Sequence, residues 1–287
     1  MWFSNDRPAT APFLEDIMNR TEYEKYLEKS TRFAYTSFQY RDFRDLWGFQ
    51  VLADGFHGFL LGKSVRKAEE SEIIWAANDP EEFRSLMKDY PRCLVKFIPT
   101  GWAETLKHAG FREYGVLREY WIPDLSAYRG AEEDFSFGVP EEAGSIASLT
   151  RGNRHLSREF LGETPAFVKR WMEGTDSSLG DCGATNARIL VHREGNRILG
   201  AAFVAIYGLD SPKGGVLWLR ELAVKNGFHG RGIGRTLARA ALQFGCQNGA
   251  KRSFLMADDL NAPAIRLYRS LGYFAKDDEV QIDLISA

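Results

Sequence analysis

Seven consecutive residues, His229-Gly230-Arg231-Gly232-Ile233-Gly234-Arg235, carry the chemistry most easily read from this chain of 287 residues. They follow an apolar run ending at Val224 and open an amphipathic segment that reaches about Gln247, so a strand passes through a glycine-rich turn into a helix. Glycines at 230, 232 and 234 leave no Cβ between the backbone and an incoming group, and the first turn of a helix has N–H donors that its own carbonyls cannot reach. The aligned peptide dipoles add roughly half a positive charge at that point, and Arg231 and Arg235 add whole ones. Such a cradle suits an anion, and a diphosphate is its natural occupant.

The flanking residues exclude two common diphosphate loops. A nucleoside-triphosphate loop ends in Gly-Lys-Ser/Thr, whereas this one ends Ile233-Gly234-Arg235-Thr236 with no lysine. A dinucleotide fingerprint needs its glycines in a different order, directly after the first strand of a βαβ unit and with an acid about twenty residues on. Further along, Asn261 sits where a helix N-cap belongs, and Pro263 is tolerable in the first turn. Tyr268 follows two turns later on the same helix face, and a phenol of pKa about 10 can act as a proton donor. A proton donor at a reaction site is commonly matched by a base that removes one. Glu221 is the first candidate, since strand alternation turns it opposite Leu222 and Val224. Asp258 and Asp259 come second, and His155 and His192 after them.

The loop, together with Asn261-Ala-Pro-Ala-Ile-Arg-Leu-Tyr268-Arg-Ser-Leu-Gly272-Tyr273, resembles the GNAT superfamily of N-acetyltransferases. Its acyl-coenzyme A loop reads Arg/Gln-x-x-Gly-x-Gly/Ala, and its following helix reads N-x-x-A-x-x-L-Y-x-x-x-G-[FY], matched here at every marked position. His229 at the Arg/Gln position departs from the pattern, weakening one charge and leaving the backbone cradle intact. The resemblance covers roughly Phe135 to Ile285 and implies a mixed, largely antiparallel α/β (α+β) sheet flanked by helices. It implies the order strand, two helices, three strands, helix, strand, helix, two strands. It also implies acetyl-coenzyme A as the cofactor, bound by His229, Gly230, Arg231, Gly232, Ile233, Gly234 and Arg235, with a contact from the cap region at Asn261 and with Tyr268 near its sulfur. Leu222, Ala223 and Val224 would present backbone groups to the thioester and the pantetheine amides. On this reading Tyr268 and Glu221 are catalytic, no metal takes part, and a small-molecule amine or a peptide or protein amine attacks the thioester directly. Two alternatives remain: a non-catalytic acyl-coenzyme A sensor or interaction protein, and a transferase of a longer acyl or aminoacyl group.

Composition sets the frame. A formal charge of −2 gives no motive for binding nucleic acid or acidic membrane. Cys93, Cys182 and Cys246 are scattered and odd in number, which points to a reducing cytoplasm rather than a disulfide framework. The N-terminus lacks an export signal, and no run reaches the length of a membrane span. The length predicts two domains: an N-terminal α/β domain over 1–130 and the acetyltransferase-like domain over 131–287, joined by the polar run 123–134. In the first, a surface helix is expected over about Ala11 to Lys29, strands near Trp47 to Ala53 and Gly55 to Gly62, and a helix over Pro80 to Tyr90. The aromatic stretch from Phe33 to Phe49 either forms core or reaches over an acceptor pocket. Leu106-Lys-His-Ala-Gly110-Phe111 echoes Tyr268 to Tyr273, as either a degenerate second copy of the half-fold or a common helix ending. That copy would lack the glycine cradle and carry Leu106 in place of Tyr268. By resemblance to tandem proteins of the mycothiol-synthase type, the first domain shapes the acceptor site or mediates a homodimer.

Overall fold

The computed structural model describes residues 18–43, 45–46, 48–63, 71–129, 135–158, 162–181 and 183–287. The chain forms two compact units, residues 1–114 with 281–287, and residues 115–280. The division thus falls ahead of the polar run expected to mark it, and the last seven residues return to the first unit. Residues 130–134 of that run, Trp47, Cys182 and the first part of the expected N-terminal helix lie outside the described residues.

In the first unit, helix α1 (Arg20–Ser30) starts on a reciprocal cap between Asn19 and Glu22. Strands β1 (Tyr35–Thr36), β2 (Gln50–Asp54), β3 (Gly58–Gly62) and β4 (Glu72–Ala77) precede helix α2 (Pro80–Met87). Strand β5 (Leu94–Ile98) and helix α3 (Thr100–His108) follow. The sheet order is β2-β3-β4-β5. Its hairpins are antiparallel, but β4 and β5, joined through α2, run parallel with Glu72 opposite Leu94. The end of the chain completes the unit as an antiparallel partner of β5, with Ile282 opposite Ile98. Phe38 and Phe49 pack with Tyr26 and Phe59 in the core, and Phe33 packs against them. The described part of the aromatic stretch therefore contributes strongly to this core.

The second unit begins in β6 (Arg112–Ile122) and continues through β7 (Ser136–Phe137), α4 (Ala143–Gly152), α5 (Pro165–Glu173) and the short α6 (Ser177–Asp181). Then come β8 (Thr185–Glu194), β9 (Arg197–Tyr207), β10 (Gly215–Val224), α7 (Ile233–Gln247), β11 (Ala250–Asp258), α8 (Ala262–Ser270) and β12 (Phe274–Ile285). The order across the sheet is β12-β6-β11-β10-β9-β8-β7. Helices α7 and α8 bury one face, through residues such as Leu237, Ala241 and Ile265. Helices α4 and α5 bury the other, through Ile146, Val168 and Trp171. This is the mixed, largely antiparallel sheet flanked by helices that the sequence led us to expect. One detail differs. The two closing strands expected after α8 are a single strand, β12, and the place beside β11 is taken by β6, which pairs antiparallel from Ile122 opposite Ser253 to Leu117 opposite Asp258. A long β6 satisfies the backbone groups of β11 that would otherwise form an open edge. Among the described residues, no helix is long and apolar enough to cross a membrane.

Candidate active site

Two irregularities in β10 shape the site. Strands β10 and β11 pair in parallel only from Gly215 with Ala250 to Trp218 with Phe254, so a fork opens beyond Trp218. On its other side β10 stays paired with β9, but the register shifts between Leu219, opposite Val204, and Glu221, opposite Phe203. Arg220 is the extra residue of this bulge. The bulge reverses the alternation of the strand. Leu217 and Leu219 face the α7 side before it, and Leu222 and Val224 face the same side after it, while Trp218 and Ala223 belong to the α5 side.

The turn after β10 delivers the chain to the head of α7. Gly230 and Gly232 have φ of 77° and 83°, in the left-handed region that disfavours side chains. Gly232 is the N-cap and supplies no side-chain hydrogen bond. The first α7 hydrogen bond joins Thr236 N–H to the Gly232 carbonyl. Among the described residues, the N–H groups of residues 229 to 235 have no acceptor in the protein. A row of donors this long without partners is what an anion would satisfy. At Gly234 a Cβ would make only ordinary contacts, 3.5 Å from Leu267 and 3.6 Å from Val224, so the first two glycines matter most to the shape of the turn.

Residues 229 to 235, Arg231 excepted, line a cleft of about 350 Å³ that also takes in Leu222, Val224, Asn261, Leu267 and Tyr268 but not Glu221. It brings together most of the residues expected from the sequence. Arg231 is exposed, its guanidinium stacked 4.6 Å from the Phe228 ring centre. Ala223 points its side chain into the α5 side of the core, leaving only its backbone to face the fork. His229 is engaged: its Nε2 lies 3.2 Å from the Asn153 Oδ1. Because Asn153 donates its amide hydrogens to the Leu149 and Val224 carbonyls, its oxygen accepts and His229 donates.

Asn261 caps α8, its side chain accepting from Ala264 N–H at 3.3 Å. Tyr268 is buried, its ring 5.8 Å from that of Tyr273. Among the described residues its hydroxyl has no hydrogen-bond partner. Burial, assisted by the Glu221 charge, raises its pKa well above the ordinary 10, so the phenol keeps its proton. Glu221 is 8% exposed, and neither carboxylate oxygen has a hydrogen-bond partner. Burial pushes its pKa from 4.5 up to about 8, Arg220 pulling down and Glu163 pushing up.

The second-choice acids are committed elsewhere. Asp258 accepts from the Arg158 guanidinium at 2.8 Å and from the Arg158 and Leu260 N–H groups, which holds its carboxyl below the usual range. Asp259 accepts both its bonds from Arg118 Nε, at 2.9 and 3.0 Å. His155 lines a neighbouring cavity of about 500 Å³ beside Arg154 and Arg158, and His192 pairs within the sheet opposite Gly200. Sequence reasoning missed Asn153, which ties α4 to the end of β10, and Glu163, which pairs with Arg220. A lone asparagine at a helix end and a glutamate in a loop give no signal of contacts 71 and 57 residues away.

Comparison with known proteins agrees with this geometry. Residues 156–273 match the Acetyltransferase (GNAT) family. A streptothricin acetyltransferase from Streptomyces lavendulae is 31% identical over 102 residues, 35% of this chain and 51% of that protein, so the chain spans about half the length of this relative. Two solved structures share the fold: a GCN5-related N-acetyltransferase from Sphaerobacter thermophilus, 15% identical, and a GNAT-family acetyltransferase from Colwellia psychrerythraea, 11% identical. Each has a TM-score of 0.51 and covers 81% of both chains, a larger share than either unit alone provides. The glycine turn, the forked strands and the α8 tyrosine all fall within residues 156–273, the stretch that matches the GNAT acetyltransferase family.

Proposed function

We propose that the second unit is an N-acyltransferase that moves an acetyl group from acetyl-coenzyme A to a primary amine. The observation that carries this reading is the row of partnerless N–H groups at residues 229 to 235, set in the same cleft as Tyr268. When bound, acetyl-coenzyme A supplies an activated acetyl thioester. The amides of residues 229 to 235, with Arg231 and Arg235, would hold its diphosphate, and the backbone of Leu222, Ala223 and Val224 along the fork would receive its arm. The fit rests on donors that the fold leaves unsatisfied and on the open side of β10.

Glu221 takes a proton from the incoming ammonium. A carboxyl pushed to about 8 is a far stronger base than an ordinary glutamate, though still weaker than an alkylamine of pKa about 10.4. Its ionised fraction, and with it the rate, rises with pH. Tyr268 remains a neutral phenol through the working range and gives its proton to the departing sulfur. Holding both reactants together supplies much of the remaining acceleration. The scattered cysteines, with Cys93 and Cys246 unpaired, support a reducing compartment such as the cytoplasm.

The test is release of free thiol from acetyl-coenzyme A in the presence of a panel of small and peptide amines, with the acetylated amine identified by mass. Amine-dependent thiol release that is lost in Tyr268→Phe supports the transferase. Tight cofactor binding with no amine acetylated would make the unit a sensor instead, and faster turnover of a longer acyl chain would change the donor.

A further inference from the structure

The surroundings of Glu221 pose a physical problem. A buried carboxylate with no hydrogen bond is costly, and a cation close by is expected to close on it. The nearest one is Arg220, the adjacent residue, yet its Nη1 stops 3.7 Å from the Glu221 Oε2. The same Nη1 lies 2.6 Å from the Glu163 Oε1. The guanidinium is also stacked on α5, 4.4 Å from the Phe167 ring centre and 5.4 Å from that of Trp171. Arg220 is therefore hydrogen-bonded to Glu163 and only loosely ion-paired with Glu221.

Glu163 is itself fixed. Its N–H donates to the Thr150 hydroxyl at 2.8 Å, and its carbonyl accepts from Arg151 Nη1 at 3.1 Å, so α4 anchors the segment from both ends of the residue. Gly162 makes that approach feasible. It has φ of 82°, and a Cβ there would come within 2.4 Å of the Arg151 Cα. The charged and titratable groups facing Glu221 are thus Arg220 on its own strand, Glu163 ahead of α5 and Tyr268 on α8.

We propose that Glu163 is a positioning residue, holding the Arg220 guanidinium off the Glu221 carboxylate so that Glu221 stays free to accept a proton from the acceptor amine. The proposal rests on the reading of Glu221 as the base of an acetyltransferase. Without the Glu163 charge, Arg220 closes its loose 3.7 Å ion pair with Glu221 to hydrogen-bond distance, leaving a weak and occupied base. Without Arg220, the proton on Glu221 is held more tightly. The charges of Glu163 and Arg220 already act on Glu221 in opposite senses, so the positioning role is read from the double variant: Glu163→Gln moves the Glu221 midpoint much less in the Arg220→Gln background, and an equal shift in both backgrounds overturns it.

The experiment titrates Glu221 in the free protein by carbon-13 NMR of labelled glutamate carboxyls, identifying its signal as the one lost in Glu221→Gln. The parent midpoint is expected at about 8. Glu163→Gln moves it down by roughly one to three pH units, Arg220→Gln moves it up, and Glu163→Asp, which keeps the charge, returns it toward the parent value. In turnover, the acid limb of the kcat profile moves down in Glu163→Gln along with a lower plateau. Either single variant is also read alone, so the test stands if the other does not fold. An unmoved or raised midpoint in Glu163→Gln, or an unmoved or lowered one in Arg220→Gln, overturns the proposal. Midpoints that move as expected in a protein with no transfer activity leave the positioning intact and remove the functional reading instead.

Discussion

The two units run through the same succession of strand, crossover helix and parallel strand, β4-α2-β5 in one and β10-α7-β11 in the other, yet they finish the helix head in opposite ways. At α2 the Asp79 carboxylate accepts from the Glu81 and Glu82 N–H groups at 3.0 and 2.8 Å, and both first-turn residues are acids. The protein has filled its own anion site there. At α7 the cap is a glycine, the neighbours are arginines, and the donors are bare. Strands β4 and β5 pair only from Glu72 with Leu94 to Ile73 with Val95, so they fork as well, and the two forks differ. In the first unit Trp75 is fully buried and its Nε1 donates to the Lys96 carbonyl, with Phe83 and Trp102 packed around it at 4.8 and 5.6 Å. In the second the fork leads to the cleft. Leu106 is buried on α3 where the sequence echo matches Tyr268. Shared topology therefore does not make a binding site. A single carboxylate at the cap and a few rings in the fork are enough to close one.

The largest effect should come from removing the group that most separates the helices α3 and α8. Tyr268→Phe should lower kcat by roughly 10²- to 10⁴-fold while calorimetry finds cofactor affinity nearly unchanged; an undiminished rate would end its role as donor. Giving α7 the kind of cap that α2 has should come next. Gly232→Asp should weaken coenzyme A binding by about a hundredfold, as two charge-assisted bonds are lost to an internal carboxylate, and unchanged affinity would mean the helix head is not where the diphosphate sits.

The pH dependence sharpens the contrast further. The kcat profile should rise through a midpoint at about 8 as Glu221 ionises, and Glu221→Gln should abolish that limb. Glu221 also links pH to stability. Its folded pKa lies above the ordinary 4.5, so the native state holds a proton that the unfolded chain gives up, and stability falls as pH rises between 4.5 and about 8. Glu221→Gln should therefore raise the melting temperature relative to the parent more at pH 9 than at pH 6, and an equal change at both would contradict the burial argument. The smallest effect belongs to the closed site: Asp79→Ala should cost about 1 kcal/mol of stability in denaturant unfolding, with coenzyme A affinity unmoved.

Much of this contrast is legible along the chain because it depends on local rules. Helix α7 ends at Gln247 as its periodicity implies, and its glycine turn announces positive φ. Asn261 caps α8 as expected. What could not be read depends on distant partners. Nothing near Arg220 marks it as a bulge, because the register is set by Val204 and Phe203 across the ladder. The strand after α3 gives no sign that it pairs with β11 more than a hundred residues later. The orphaned state of Glu221 exists only because Glu163, itself fixed to α4, draws Arg220 aside.

The most direct test is a titration of the nitrogen-15-labelled protein with coenzyme A, followed amide by amide. The account predicts the largest shifts at residues 229 to 235, with residues 79 to 82 at the head of α2 unmoved. Amides of 229 to 235 that stay in place under saturating ligand, or equal shifts at the two helix heads, would contradict it.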